Sequence, residues 1–413
     1  SGPFARRTSW PAPGAQWHGP PTVPPEAWVE FRSEMRGFAS RVRRRRESQE
    51  NLQPKERVQR ALGHREPDRV PIDFWAVEEV KARLLRVLGM GSEEELLGMF
   101  GVDFRVIGGP SLVGLELERY PGGGFRDLWG VVRRPVSFGR GTRKGSYKEV
   151  AFSPLKEMKT VREIESYPGW PSADWWDYSK VAQECRQYPE HCVVFAGDRL
   201  DRTAQLKTAM YMRGMKEIFT DLRANPEIAK CIFEHVVEYF LEYDRRVFEA
   251  ADGLIDIFMM GDDFGMQNGP MMPDRMWSEF LEEGFRKFIR LAHEHGIVVM
   301  HHTCGSVRTL IPLFIRDGLD VLQSLQPRAK GMELGPLKKE FGQRISFHGS
   351  VDIQHTMPRG KPADVRTEVA ERMSAGKPGG GFVICTAHNL QVDVPTRNVL
   401  ALIESYHDLG GYG

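Results

Sequence analysis

The stretch Gly296-Ile297-Val298-Val299-Met300-His301-His302-Thr303-Cys304-Gly305 runs from an apolar, β-branched segment into two soft donor side chains. The apolar part has the composition of a buried strand, and the helical-looking segment from Trp277 to His295 precedes it. Side chains alternate faces along a strand, so His302 and Cys304 are expected to project the same way from its C-terminal end. Imidazole nitrogen and thiolate sulfur are donor types that Zn²⁺ prefers. A third donor must come from elsewhere. Cys385, after the apolar run Phe382-Val383-Ile384, is the first candidate, with His388 close behind it.

Outward from this stretch the chain repeats one pattern. Eight apolar strand candidates occur in order: Val70 to Phe74, Asp103 to Ile107, Cys192 to Ala196, Leu254 to Met260, Ile297 to His301, Asp320 to Ser324, Arg344 to His348, and Gly381 to Cys385. Amphipathic stretches such as Pro226 to Ala250 and Pro362 to Ala375 lie between most of them. Eight strands alternating with helices predict an α/β fold of the (β/α)8 TIM-type barrel class over residues 54–410. Leu128 to Phe152 breaks the rhythm and reads as a β-hairpin inserted after strand two, placed to roof a site. Residues 1–50 form a Pro/Arg-rich N-terminal extension that begins Ser-Gly, as a processing or cloning scar does, and is expected to be poorly ordered. Its basic run, Arg41 to Arg46, reads as a solvated helix face or tail rather than a nucleic-acid patch.

Composition narrows the function. The 413 residues carry 57 basic and 56 acidic side chains, a formal net charge of +1, which gives no electrostatic case for nucleic acid or an anionic membrane as partner. No apolar run approaches the length of a transmembrane helix. Five scattered cysteines do not make a disulfide framework, and a reducing cytoplasm is the expected compartment. Cys185, Cys192 and Cys231 read as structural.

Barrel enzymes keep their chemistry at the C-terminal ends of the strands. This chain collects polar residues there: Asp262, Asp263 and Gln267 after strand four, His302 and Cys304 after five, Gln323 in six, His348 in seven, Cys385 and His388 in eight, with Asp73 in strand one and Asp103 opening strand two. Each has a plainer alternative. Asp262 and Asp263 can cap the next helix, His348 can be a core histidine, and the cysteines can be buried without a ligand.

The markers Arg65-Glu66-Pro67-Asp68-Arg69-Val70-Pro71, Tyr211-Met212-Arg213-Gly214-Met215, Gly261-Asp262-Asp263-Phe264-Gly265-Met266-Gln267-Asn268-Gly269, His302-Thr303-Cys304-Gly305, Gln326-Pro327-Arg328-Ala329, Phe347-His348-Gly349-Ser350-Val351-Asp352 and His388-Asn389-Leu390-Gln391-Val392-Asp393-Val394-Pro395 resemble the uroporphyrinogen decarboxylase superfamily, and more closely its corrinoid-dependent methyltransferase branch. The resemblance covers roughly Pro54 to Leu409. It implies a barrel, a zinc site of the form His-x-Cys with a distant Cys, and a cobalamin-loaded partner protein that exchanges a methyl group with a small methyl ether or thiol. His302 and Cys304 fall on that motif. For the third ligand, Cys385 is displaced from the family position, which lies nearer Thr386-Ala387-His388; either the strand register brings Cys385 to the metal, or His388 substitutes, or the site is degraded. Asp262, Asp263 and His348 are expected as catalytic groups, and Asp73, Asp103, Gln267, Gln323 and His388 as substrate-binding ones. The decarboxylase proper binds a polycarboxylate tetrapyrrole with arginines near its N-terminus; the opening Val70 to Trp75 lacks such a segment, although Asp103 stands near the family's pyrrole-binding aspartate. That decarboxylase, or a barrel that binds a tetrapyrrole or corrinoid without catalysis, is the alternative.

Overall fold

The computed structural model describes residues 37–46, 51–140, 143–197 and 202–412. Thirteen strands follow one another along these residues. β1 is Phe104–Ile107, β2 Ser111–Leu112, β3 Arg119–Tyr120, β4 Gly124–Arg126, β5 Val132–Arg140, β6 Arg143–Phe152 and β7 Trp176–Asp177. β8 is Cys192–Phe195, β9 Ile257–Gly261, β10 Val298–His302, β11 Val321–Leu325, β12 Ser346–Val351 and β13 Phe382–Thr386. Seven of them form one parallel sheet in the order β1-β8-β9-β10-β11-β12-β13.

The eighth stave is the segment 70–74. Its backbone bridges the gap between the sheet's two edges: Asp103 N–H donates to Ile72 O at 2.9 Å on one side, and on the other Ile384 N–H donates to Pro71 O at 3.0 Å and Asp73 N–H to Ile384 O at 3.1 Å. Pro71 has no N–H to give, which interrupts the ladder and leaves isolated bridges where a regular strand was expected. All eight predicted staves are therefore present, in sequence order around the barrel. Helices such as Pro226–Ala251, Glu282–Glu294, Pro362–Gly376 and Thr396–Leu409 cover the outside. Among the described residues no helix is long and apolar enough to cross a membrane.

Between β1 and β8 the chain builds an excursion larger than one hairpin. β5 and β6 pair antiparallel, as expected for Leu128 to Phe152, but they extend a four-stranded sheet with β3 and β4, and β2 pairs with β7 beside it. Of the extension, residues 37–46 form a helix. Phe38 and Val42, four apart on one face, are both 1% exposed, while Arg41 pairs with Glu404 at 2.6 Å and Arg45 with Asp408 at 3.0 Å. The basic run is thus the outer face of a helix seated on Thr396–Leu409 and not an unstructured tail. The rest of the expected extension lies outside the described residues.

Candidate functional site

The barrel's C-terminal mouth opens on a cavity of about 400 Å³, lined among others by Trp75, Trp129, Lys207, Asp263, His302 and His388. His302 and His388 line it, and the donor atoms of His302, Cys304 and His388 lie within 4.8 Å of one another. His302 is the last residue of β10, and two residues further on Cys304 points the same way, its Sγ 3.4 Å from His302 Nε2.

The surroundings prepare this trio. His302 Nδ1 donates to the carboxamide oxygen of Gln323 on the neighbouring strand β11, which fixes the ring's tautomer and leaves the Nε2 lone pair toward the mouth. Burial holds the His302 ring well below its usual range, so it stays neutral. Burial also pushes the Cys304 thiol up to about 12, with the Asp263 carboxylate adding to the rise. A thiolate at this position therefore needs a cation beside it.

Asp263 accepts the Cys304 backbone N–H at 3.1 Å, lies 3.6 Å from His302 Nε2, and pairs with Lys207 Nζ at 3.0 Å. Its burial opposes ionisation, but the Lys207 ammonium and the Cys304 N–H outweigh it and hold the carboxyl well below its ordinary value. Ser324 braces the other side. It sits at φ +79° in a bulge of β11, where its hydroxyl donates to Ala387 O at 2.6 Å and comes within 3.6 Å of Cys304 Sγ. A non-glycine residue at such a φ costs on the order of 1–3 kcal/mol and persists only where its surroundings hold it. Here it ties the arm carrying His388 to the arm carrying Cys304.

The structure redistributes several expected roles. Cys385 does not join His302 and Cys304. It lies inside β13, level with Ser350 of β12, and its sulfur falls in a separate trio with Asp73 and His348. His388 lies two residues past the end of β13, in a bend that carries it to the mouth. Its Nδ1 accepts the Asn389 N–H at 2.8 Å, so a neutral ring keeps its proton on Nε2, and a cation would exchange that local bond for its own.

Asp262 is not a reacting group. Its carboxylate accepts the backbone N–H groups of Gln205, Leu206 and Lys207 at 2.6, 2.9 and 2.6 Å, capping the helix Leu206–Arg213 from another strand. That docking is what delivers Lys207 to the site, and burial raises the Asp262 carboxyl to about 6. Asp103 lies at the opposite end of the barrel, because it is the residue just before β1. Arg57, Arg69 and the Ile72 N–H consume both its oxygens, and it touches no cavity at the mouth. Gln267 is turned outward, its amide donating to Arg328 O. Gln323 is fully buried and orients His302 rather than meeting a substrate. Asp73 and His348 are bonded to each other at 2.9 Å beneath Trp75, below the cavity floor.

Lys207, Trp75, Trp129 and Ser324 escaped the sequence reading as site residues. Trp75 stacks on His302 with ring centroids 6.0 Å apart and planes at 11°. Its only sequence signal was adjacency to the Val70 to Phe74 stave, and Lys207 carried none.

The profile of the family described as uroporphyrinogen decarboxylase (URO-D) matches residues 203–409, about half of the chain, and the protein belongs to that family. No curated protein matches it in sequence. A solved methyltransferase from Methanosarcina mazei is similar in fold, with a TM-score of 0.59 at 15% identity over 87% of this chain and 99% of that one.

Proposed function

We propose that this protein is a methyltransferase that moves a methyl group between a corrinoid carried by a partner protein and a small methyl ether or thiol, with Zn²⁺ held by His302, Cys304 and His388. The observation that carries the proposal is the convergence of two imidazoles and one thiol, with both imidazoles lining the cavity at the barrel mouth. Three protein donors with a side open to substrate is the form that catalytic zinc sites take, whereas structural ones are closed by a fourth. The similarity in fold to a methyltransferase supports the same class of reaction.

When bound, Zn²⁺ supplies Lewis acidity, which makes a thiol more acidic or eases the departure of an alkoxide. The chain's own residues do the rest. Gln323 keeps the His302 lone pair aimed at the site. Asp263 holds the Cys304 backbone and, kept ionised by Lys207, can accept a hydrogen bond that orients a donor near the reacting atoms. Trp75 and Trp129 give the substrate apolar walls. With five free cysteines and no need for a disulfide, we place the protein in the cytoplasm.

The decarboxylase reading is disfavoured by where the N-terminal arginines went. Arg57 and Arg69 are buried on Asp103 at the far end of the barrel, and of the cations lining the cavity Lys207 is engaged by Asp263 and Arg202 donates to Ala196 O, a smaller positive lining than a polycarboxylate calls for. The test is methyl transfer between free methylcobalamin and a panel of thiols, or from methyl ethers to cob(I)alamin, followed by the cobalamin absorbance. Chelator-stripped protein should be inactive and regain activity with Zn²⁺, and Cys304→Ala should not regain it. Equal turnover with and without metal, or none with any substrate although cobalamin binds, contradicts the proposal, and the second result favours a non-catalytic corrinoid-binding barrel.

A further inference from the structure

A second trio lies deeper in the barrel. Donor atoms of Asp73, His348 and Cys385 come within 4.8 Å of one another, and these residues are 7%, 0% and 0% exposed. Asp73 Oδ2 accepts from His348 Nε2 at 2.9 Å and from Trp75 Nε1 at 2.7 Å, and Oδ1 accepts the Phe74 N–H at 2.7 Å. With its proton on Nε2, His348 keeps a lone pair on Nδ1, and that buried atom has no hydrogen-bond partner among the described residues. Ser350, opposite Cys385 across the strand pair, repeats the pattern: it is 1% exposed, held at φ +86°, and its hydroxyl has no partner either.

Two unpartnered polar atoms beside the trio mark this part of the barrel interior as polar, and each costs about 1–3 kcal/mol unless something fills it. The chemistry of the neighbours says which kind. A cation in place of the proton shared by His348 Nε2 and Asp73 Oδ2 would have the Cys385 sulfur within reach, and the displaced proton would move to His348 Nδ1, the ring atom without a partner. Thiol, imidazole and carboxylate together are donors suited to Zn²⁺. The charges also balance, because one carboxylate and one thiolate against a dication leave no net charge to bury.

We propose that Asp73, His348 and Cys385 hold a second, buried divalent-cation site of the zinc type, distinct from the one at the mouth. Its role is structural. Asp73 anchors the Trp75 indole, and Trp75 packs on His302, so the deep cation fastens the floor on which the mouth trio rests.

The test is a count on the full-length chain. Chelator-stripped protein is titrated with Co²⁺, and the near-ultraviolet thiolate-to-cobalt absorbance is read against equivalents added. Two equivalents are expected, with Cys304→Ser removing one and Cys385→Ser removing the other. A single equivalent lost with Cys304→Ser but untouched by Cys385→Ser overturns the deep site and leaves the mouth site standing. A single equivalent lost with either substitution overturns it as well, and assigns Cys385 to the mouth. Should Cys385→Ser fail to fold, native mass spectrometry of the unaltered chain decides: two zinc ions per chain support the inference and one contradicts it.

Discussion

The two ends of this barrel each carry a polar cluster, arginine and aspartate at one and histidine and cysteine at the other, and they differ in how completely those residues satisfy one another. At the bottom, Arg57 spans Asp68 and Asp103, Arg69 holds the other side of Asp103, and Ile72 adds a backbone N–H, with side chains 6% exposed or less. Every charge there faces an opposite charge within hydrogen-bonding distance. At the mouth, a thiol is pushed up to about 12, an imidazole is kept neutral, and the donors converge on a common space instead of on each other. A closed lattice of charge holds a fold together, and a set of donors left open holds something else. That contrast separates residues that resemble functional groups in sequence from residues placed to function.

Breaking the closed end should give the largest effect. Asp103→Ala removes the buried carboxylate that Arg57 and Arg69 share, leaving Arg57 with Asp68, and loss of one partner of a buried pair costs on the order of 3–5 kcal/mol. Chemical denaturation should show that loss, while zinc affinity of the remaining folded protein stays unchanged; a drop under about 1 kcal/mol would mean the lattice is not the barrel's clasp. At the open end, Gln323→Leu removes the acceptor that orients His302. Zinc affinity measured by chelator competition should fall about 10–100-fold with little change in unfolding midpoint, and unaltered affinity would remove Gln323 from the site.

Asp68 offers a finer probe. Its burial opposes ionisation, but the Arg57 guanidinium and the Leu52 and Asn51 N–H groups hold its carboxyl at about 2. An unfolded aspartate titrates near about 3.9, so the stabilisation is fully present above that pH and fades as pH falls toward the folded value. Asp68→Asn should accordingly be less stable than wild type at pH 7, with the gap closing by pH 2; a gap that ignores pH would contradict the assignment. The smallest effect belongs to the surface: Arg41→Ala, which loses the Glu404 pair, should cost no more than about 1 kcal/mol in thermal unfolding.

The same contrast explains what the sequence made legible. Apolar runs such as Ile297 to Met300 announce strands because burial on a sheet demands β-branched side chains, and the spacing of His302 and Cys304 put both on one face. Strand alternation, however, holds only while the chain stays extended. It correctly keeps Cys385 inside the barrel but says nothing of His388, which reaches the mouth only because the chain bends after Thr386. Asp103 misled because an aspartate at the start of a strand and one at its end look alike in sequence, yet they sit at opposite faces of the barrel. Lys207 was invisible because its position depends on Asp262 capping its helix across 55 residues of chain.

The most direct test of the account is the metal itself. X-ray absorption at the zinc edge, on protein purified without added metal, should show a centre with sulfur and nitrogen neighbours whose sulfur shell weakens when Cys304 is replaced by Ala. A zinc spectrum unchanged by Cys304→Ala, or a wild-type protein that retains no zinc, would contradict the assignment of the mouth trio.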